Sequence, residues 1–266
     1  MCGIFGGWWQ NEPPEIEQRL HVAQEMLRHR GPDDKGLEVI RRYEGTLALG
    51  HTRLSIIDLS PGGHQPMHSP DGRYTIVYNG EIYNYRELRN ELCALGHHFH
   101  TESDTEVLLT AWIQWGVDSL PKLFGMFAFV IYDRQSLTFH CVRDAFGIKP
   151  FFYHMDENGF YFASELPALL TILPFKPAMN LQRAYDYLAW GSYDNNAETF
   201  YEGVQHLMPG HWLCLHLDRN LIAESSRWWW PSIEERNDLN FSQAAEKLRA
   251  MFLQNVRLHL RSDVPL

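Results

Sequence analysis

The stretch Gly125–Asp133 constrains the fold more than any other. In an extended chain Phe127, Phe129 and Ile131 fall on one face, and Ala128, Val130 and Tyr132 on the other. Neither face can meet water, so this strand needs a packed layer on each side. Other segments read as strands that can supply one of those layers. Cys2–Trp9 is uncharged and apolar with glycines at 3, 6 and 7, as expected of a buried strand whose backbone is closely approached. Leu37–Arg42, Thr46–Arg53, Tyr74–Tyr78, Leu137–Arg143, Phe151–His154, Phe160–Ala163 and a last strand at His211–Leu217 complete the set. Helical spacing marks Glu15–His29, where Ile16, Leu20, Ala23 and Leu27 share one face. It also marks Tyr85–Leu95, a helix opening at Ser103 and running to Trp115, short helices at Glu165–Leu170 and Leu181–Leu188, and a long one at Phe241–Leu260. Two antiparallel sheets, stacked and covered by helices, satisfy this pattern: an α+β fold of four layers. The chain's 266 residues, 45% hydrophobic, suffice to bury such a core as one large or two small domains.

Composition narrows the partners. A formal net charge of −10 argues against nucleic acid and anionic membranes. No apolar run approaches a bilayer-spanning length, and the N-terminus lacks the basic and apolar regions of a signal peptide. The cysteines Cys2, Cys93, Cys141 and Cys214 form no C-x-x-C pair, so no zinc or redox site is expected, and isolated thiols fit a reducing cytoplasm. His97, His98 and His100 lack acidic or thiol co-ligands at metal spacing and read as surface residues.

Local chemistry offers bland readings for several residues that later matter. Asn79-Gly80 is a hairpin-turn signal, though no simple return strand follows. Asn84 with Glu87, and Ser103 with Glu106, have capping-box spacing. Asp104 suits the first turn of its helix through the dipole alone. Arg53, ending an apolar strand, reads either as an edge charge or as a fork for a carboxylate. Ser60–Gly72, rich in Pro, Gly, Ser and His, is a long loop of the kind that covers sites.

The first residues carry the sharpest chemical hint. If Met1 is removed, Cys2 presents a thiol and a free α-amine on one residue. The thiol has an ordinary pKa of about 8.5 and the amine about 7.7–8.0, so about a tenth of such amines are neutral at pH 7 and able to accept the thiol proton. Nucleophile and base then come from one residue.

Several blocks together carry a resemblance: Cys2-Gly3-Ile4-Phe5-Gly6, Arg28-His29-Arg30-Gly31-Pro32-Asp33, Arg53-Leu54-Ser55-Ile56, Asn79-Gly80-Glu81-Ile82-Tyr83-Asn84, Ser103-Asp104-Thr105-Glu106, Met126-Phe127-Ala128-Phe129 and Arg143-Asp144-Ala145-Phe146-Gly147-Ile148-Lys149-Pro150. In this order they resemble the N-terminal glutaminase half of glutamine-dependent asparagine synthetases, a class II amidotransferase of the N-terminal-nucleophile hydrolase fold, an αββα sandwich. The resemblance implies a catalytic set of Cys2, Asn79 and Gly80, with Cys2 attacking the side-chain amide of L-glutamine, and Asn79 and the Gly80 N–H holding the oxyanion. It implies a glutamine-binding set of Arg53, Leu54, Ser55, Ile56, Ile57, Asn79, Gly80, Glu81 and Asp104, with Arg53 on the α-carboxylate and Asp104 on the α-ammonium. It further implies a glutaminase domain over residues 2–218, a linker over 219–240, and at 241–266 the first helix of an incomplete synthetase domain. The Asp263-Val264-Pro265 run leads, in the whole enzymes, into a phosphate-cradling loop, which this sequence does not contain. No cofactor is therefore expected in this chain; ATP and Mg would belong to the missing synthetase domain. The expected partners are L-glutamine and a synthetase domain or chain in trans, or a second copy of this chain. The apolar stripe Phe241, Ala245, Leu248, Phe252, Val256 and Leu260 has to fold back, pair with a partner or stay exposed. Two other readings remain open: a glutaminase feeding a sugar-acid or peptide carboxylate acceptor through a separate synthetase, and a non-catalytic interaction module.

Overall fold

Alternation along the strands sorts the core into layers. The computed structural model describes residues 1–42, 44–217, 221–235 and 237–265. In chain order these form β1 (Gly3–Trp9), α1 (Ile16–Met26), β2 (Asp34–Arg42), β3 (Gly45–Arg53), β4 (Met67–His68), β5 (Tyr74–Ile82), α2 (Tyr85–Ala94), α3 (Asp104–Trp115), β6 (Gly125–Asp133) and β7 (Thr138–Arg143). There follow β8 (Phe152–Asp156), β9 (Gly159–Ala163), α4 (Leu166–Ile172), α5 (Leu181–Trp190), β10 (Val204–His206), β11 (His211–His216), β12 (Ile222–Arg227) and α6 (Phe241–His259). One six-stranded sheet has the order β10-β8-β9-β1-β3-β2 and the other β12-β11-β7-β6-β5-β4, with antiparallel pairing throughout.

The even-numbered face of β6 (Ala128, Val130, Tyr132) packs between the sheets, against Ile4 and Trp8 of β1 and Leu47 and Leu49 of β3. Its odd-numbered face (Phe127, Phe129, Ile131) packs under α2 and α3 with Leu88, Leu92, Leu108 and Trp112. On the far side of the first sheet, Phe5 and Trp9 of β1 meet Ile16, Leu20 and Ala23 of α1 and Leu169 and Ile172 of α4. The expected αββα sandwich is therefore the observed fold, with three apolar layers between four structural ones. Burial of this kind stabilises by about 25 cal/mol per Å² of apolar surface removed from water. The fully buried His51 also pins the two sheets together: its Nε2 lies 3.1 Å from Tyr78 O, and burial pushes the ring down to about 3, so a neutral imidazole donates to that carbonyl.

Several local expectations are corrected. Asn79-Gly80 is no turn: β5 runs through both residues, Asn79 opposite Ala128 and Gly80 opposite Phe127. Asn84 stands at the start of α2 but makes no side-chain cap. Its amide instead ties down another segment, donating to Lys122 O at 2.9 Å and accepting from Phe124 N at 2.9 Å. Glu87, freed from any capping role, pairs with Arg261. Ser103 does cap α3 through Thr105 N, but Glu106 reaches out to His100 N and Thr101 N rather than closing a box. A strand follows the one read as last: β12 pairs with β11 along the edge of the second sheet, inside the segment read as linker. Its mostly exposed Ala223-Glu224-Ser225-Ser226-Arg227 carries little apolar signal, as edge strands often do. The boundary read at residues 218 and 219, and positions 236 and 266, lie outside the described residues.

Beyond β12, Trp228 stacks on Phe127 and its Nε1 donates to Arg143 O at 3.1 Å, sealing the end of the sheet. α6 is opened by a capping box between Asn240 and Gln243 that the sequence reading did not pick out. No residue of α6 is buried, so its stripe stays exposed, with Phe241 90% and Phe252 64% accessible. The last residue of α6 touches the sandwich, where the His259 ring lies 3.9 Å from that of Tyr83.

Candidate active site

The site forms where β1 begins, β3 and β5 end and α3 begins. Pairing of Gly3 with Thr52 places Cys2 beside the exit of β3. A Cβ on Gly3 would stand 2.7 Å from Thr52 Oγ1 and 3.0 Å from Leu27 Cβ, so the residue after the cysteine has to be small. Cys2, Arg53, Leu54, Ile56, Ile57, Asn79, Gly80, Glu81 and Asp104 line one pocket. Of the expected glutamine-binding set only Ser55 lies elsewhere. Its N–H is held by Asp33 at 2.8 Å, and it lines a neighbouring crevice with Asp34 and His64.

Cys2 is gripped through its main chain and its sulfur. Arg30 Nε donates to Cys2 O at 2.9 Å, while Arg30 Nη1 pairs with Glu165 at 2.8 Å. Leu54 N–H donates to Cys2 Sγ at 3.4 Å, and the thiol donates back to Leu54 O at 3.7 Å. Burial pushes the Cys2 thiol up, opposed by the nearby amine and the Lys149 ammonium. Burial and the cations Lys149 and Arg30 push the terminal amine, here that of Met1, down. With Met1 in place the Cys2 nitrogen is an amide, so the amine beside the thiol is that of the preceding residue.

Arg53 is buried, and its guanidinium is held by backbone carbonyls: Nη1 donates to Ser60 O at 2.8 Å, and Nη2 to Ile57 O at 3.4 Å and to Asp58 O. Gly63 makes room for it, since a Cβ there would lie 2.0 Å from Nη2. The loop after β3 thus orients the cation through main-chain carbonyls, and the Asp58 carboxylate on the same loop feels its charge. Asp104 is its counterpart. Its Oδ2 accepts from Tyr78 OH at 2.9 Å and Ile82 N at 3.0 Å, and burial nonetheless pushes the carboxyl up to about 6. Glu81, half-buried beside it, is also pushed up by burial.

Asn79 is the anomaly. It is fully buried, and neither its Nδ2 nor its Oδ1 has a hydrogen-bond partner. A native fold rarely leaves both ends of an amide orphaned without a functional reason. Gly80 follows because a Cβ there would stand 2.4 Å from Met126 O and 2.6 Å from the Tyr78 ring.

The sequence reading assigned no role to Arg30, Gln65, Tyr78 or Lys149. Gln65 accepts from Tyr78 N at 2.6 Å and donates to Thr105 Oγ1 at 3.2 Å, and through this residue the Ser60–Gly72 segment reaches the pocket. Lys149 reaches the pocket because Asp144 organises its loop, accepting from Phe146, Ile148 and Lys149 N–H groups at 3.0 Å each. Arg143 holds the carbonyls of Gly147 and Lys149 at 2.8 Å. Gly147 sits at φ +66°, which favours glycine. The Arg143–Pro150 motif is in this sense a device for presenting one buried ammonium. Among the described residues no group of side chains could hold a metal ion.

The fold is that of the N-terminal-nucleophile hydrolases, with the cysteine-led pocket at its strand ends. The family described as "Glutamine amidotransferase domain" matches residues 1–229, and the chain belongs to it. Over 270 residues it is 34% identical to asparagine synthetase [glutamine-hydrolyzing] 3 of Bacillus subtilis, covering 100% of this chain and 42% of that protein. Over 281 residues it is 32% identical to putative asparagine synthetase [glutamine-hydrolyzing] 2 of Methanocaldococcus jannaschii, covering 100% and 53%. The chain thus spans about half the length of the curated relatives it matches. Glutamine phosphoribosylpyrophosphate amidotransferase from B. subtilis shares the fold, with a TM-score of 0.60 and 22% identity over 86% of this chain and 50% of that one.

Proposed function

We propose that this chain hydrolyses L-glutamine to glutamate and ammonia through a γ-glutamyl thioester on Cys2. The observation that carries the reading is the orphaned Asn79 amide, buried in the same pocket as Cys2, Arg53 and Asp104. The Cys2 sulfur attacks the side-chain carbonyl carbon of glutamine, and the N-terminal amine takes the thiol proton and returns it to the departing ammonia. Charge develops on the carbonyl oxygen, where the Asn79 amide and the Gly80 N–H receive it. Water then attacks the thioester, releasing glutamate and the thiol. The Arg53 fork fits the α-carboxylate, and Asp104 with Glu81 the α-ammonium. This pairing of ends favours a free amino acid over a peptide-bound one.

The ammonia is taken, on this reading, to ATP-dependent conversion of aspartate to asparagine, supported by the names of the relatives. The partner is a synthetase domain or chain, to which α6 is the approach; the glutaminase read over residues 2–218 extends through β12 and Trp228, close to where the family match ends at residue 229, which leaves the rest of the 219–240 segment as its connection. ATP and Mg, on this reading, belong to that half. Among the described residues no helix is long and apolar enough to cross a membrane; the compartment proposed is the cytoplasm. The purified chain tests the reading directly. Glutamate should form from glutamine without ATP, and no asparagine should form from aspartate and ATP; lack of glutaminase activity would defeat it.

Two site predictions follow from the geometry. Arg53→Ala should raise KM for glutamine about 30-fold or more, since removing one partner of a buried charge pair costs about 2–5 kcal/mol. An unchanged KM by initial-rate kinetics would refute the clamp. Asp104 must be ionised to hold an ammonium, and its carboxyl titrates at about 6. Glutaminase kcat/KM should therefore fall as pH drops through about 6, and Asp104→Asn should raise KM and erase that limb of the profile. The linkage sign for stability is opposite. Between about 4 and 6 the free folded protein holds a proton on Asp104 that the unfolded chain has released. Ionisation of this group thus lowers the stability of the ligand-free fold as pH rises through that window, as urea titrations across it can read.

A further inference from the structure

The loop after β3 has two sides. Its inner side supplies Leu54, Ile56 and Ile57 to the pocket and the three carbonyls that orient Arg53. Its outer side is held by a residue more than two hundred positions away in sequence. Asp263 N–H donates to Ile56 O at 2.9 Å, and Asp263 Oδ2 accepts from Asp58 N–H at 2.8 Å. This two-bond clasp closes around Ile57, the middle residue of the loop. Asp58 itself sits at φ +55°, a conformation a non-glycine residue keeps only when its surroundings hold it. Its carboxylate is also tied, to Ser60 N at 3.0 Å and Glu102 N at 2.9 Å.

The clasp is anchored just beyond the end of β5, two residues past the pocket-lining Glu81. Arg261 Nη1 donates to Tyr83 O at 2.7 Å, and both terminal nitrogens of Arg261 pair with Glu87. The His259 ring lies against Tyr83, two residues beyond Glu81. Residues 259–263 therefore bridge from the end of β5 and the start of α2 to the Arg53 loop, although the family match stops at residue 229.

We infer that Asp263 is a positioning residue for glutamine recognition: the segment following α6 clasps the loop that aims Arg53, so that the chain leading out of α6 sets the affinity of the pocket for glutamine. The inference rests on the glutamine reading of the site. Binding and the clasp are then linked: whatever draws residues 261–263 off the loop weakens glutamine binding, and glutamine bound to Arg53 tightens the clasp by the same factor.

The experiment uses the full 266-residue chain with Asp263→Ala and Asp263→Asn. It measures glutamine kcat and KM, and hydrogen exchange at the amides of residues 54–60. Asp263→Ala should raise KM about three- to tenfold with kcat within about twofold, a modest effect because Asp263 is exposed and water competes for the same donor. The Asp58 amide should lose protection, while the β5 and β6 amides keep theirs. Asn retains the accepting oxygen, so Asp263→Asn should remain close to wild type in both measurements. An unchanged KM, an equal fall in kcat and kcat/KM, or an Asp58 amide as protected in Asp263→Ala as in wild type would overturn the inference. Failure of the wild-type chain to turn over glutamine would count against the function itself; the exchange arm would still decide whether Asp263 holds the loop.

Discussion

Cys2→Ala is expected to cut glutamine hydrolysis by about 10⁴ or more while leaving the fold intact, because removing a covalent nucleophile deletes the whole reaction path rather than one of its aids. The fold should not notice. Cys2 lies before the first residue of β1, and its main-chain carbonyl, the group Arg30 holds, is kept in the alanine variant. The same chemistry predicts selective labelling. Cys141 and Cys214 are buried, and burial pushes Cys214 up to about 11 and Cys141 well above the ordinary thiol range; Cys93 is exposed on α2 and is not among the residues lining the Cys2 pocket. A glutamine-shaped electrophile should modify Cys2 alone, and excess glutamine should protect it. Mass spectrometry of the active protein should show Met1 removed, since only then does the α-amine belong to the nucleophile. Full activity with Met1 retained, or labelling at Cys93, would reassign the chemistry.

The layers were legible because β6 is apolar on both faces, and no other arrangement hides Phe127 and Val130 at once. The positions of Cys2, Arg53, Asn79 and Asp104 were legible as motifs, but not the forces acting on them. Asp104 has a sufficient local explanation at the start of α3. Its proximity to Tyr78, which gives it a second role, depends on how β5 packs against α3 and is not encoded in spacing. Asn-Gly is a turn signal only when nothing outside competes; here nine residues of register with β6 override it. The missed capping at Asn84 has the same cause, a better offer from Lys122 and Phe124. β12 escaped notice because an edge strand facing water needs no apolar pattern. Lys149 and Asp263 escaped because their roles run through other residues' backbones.

Asn79 and Asn84 share one motif, Asn-Gly-Glu-Ile-Tyr-Asn, and the structure predicts opposite outcomes for them. Asn79 leaves both ends of its amide unpaired in a fully buried position, a state that costs about 1–3 kcal/mol in the resting protein. A donor held ready for an oxyanion strengthens its bond only as charge develops, so its loss falls on kcat. Asn79→Ala should therefore lower kcat about 10²–10³-fold, with a much smaller change in KM. It should leave the melting temperature unchanged or raised, because the cost of the unpaired amide disappears with the side chain. Asn84 spends its amide on Lys122 O and Phe124 N, bonds that join the start of α2 to the approach to β6. Asn84→Ala should lower the melting temperature, at a cost of about 1–3 kcal/mol for the groups left unpaired, with kcat nearly untouched. Steady-state kinetics and thermal denaturation of the two variants side by side decide the matter. If Asn79→Ala destabilised the fold and kept its kcat, the amide would be structural and the oxyanion would have to be held elsewhere.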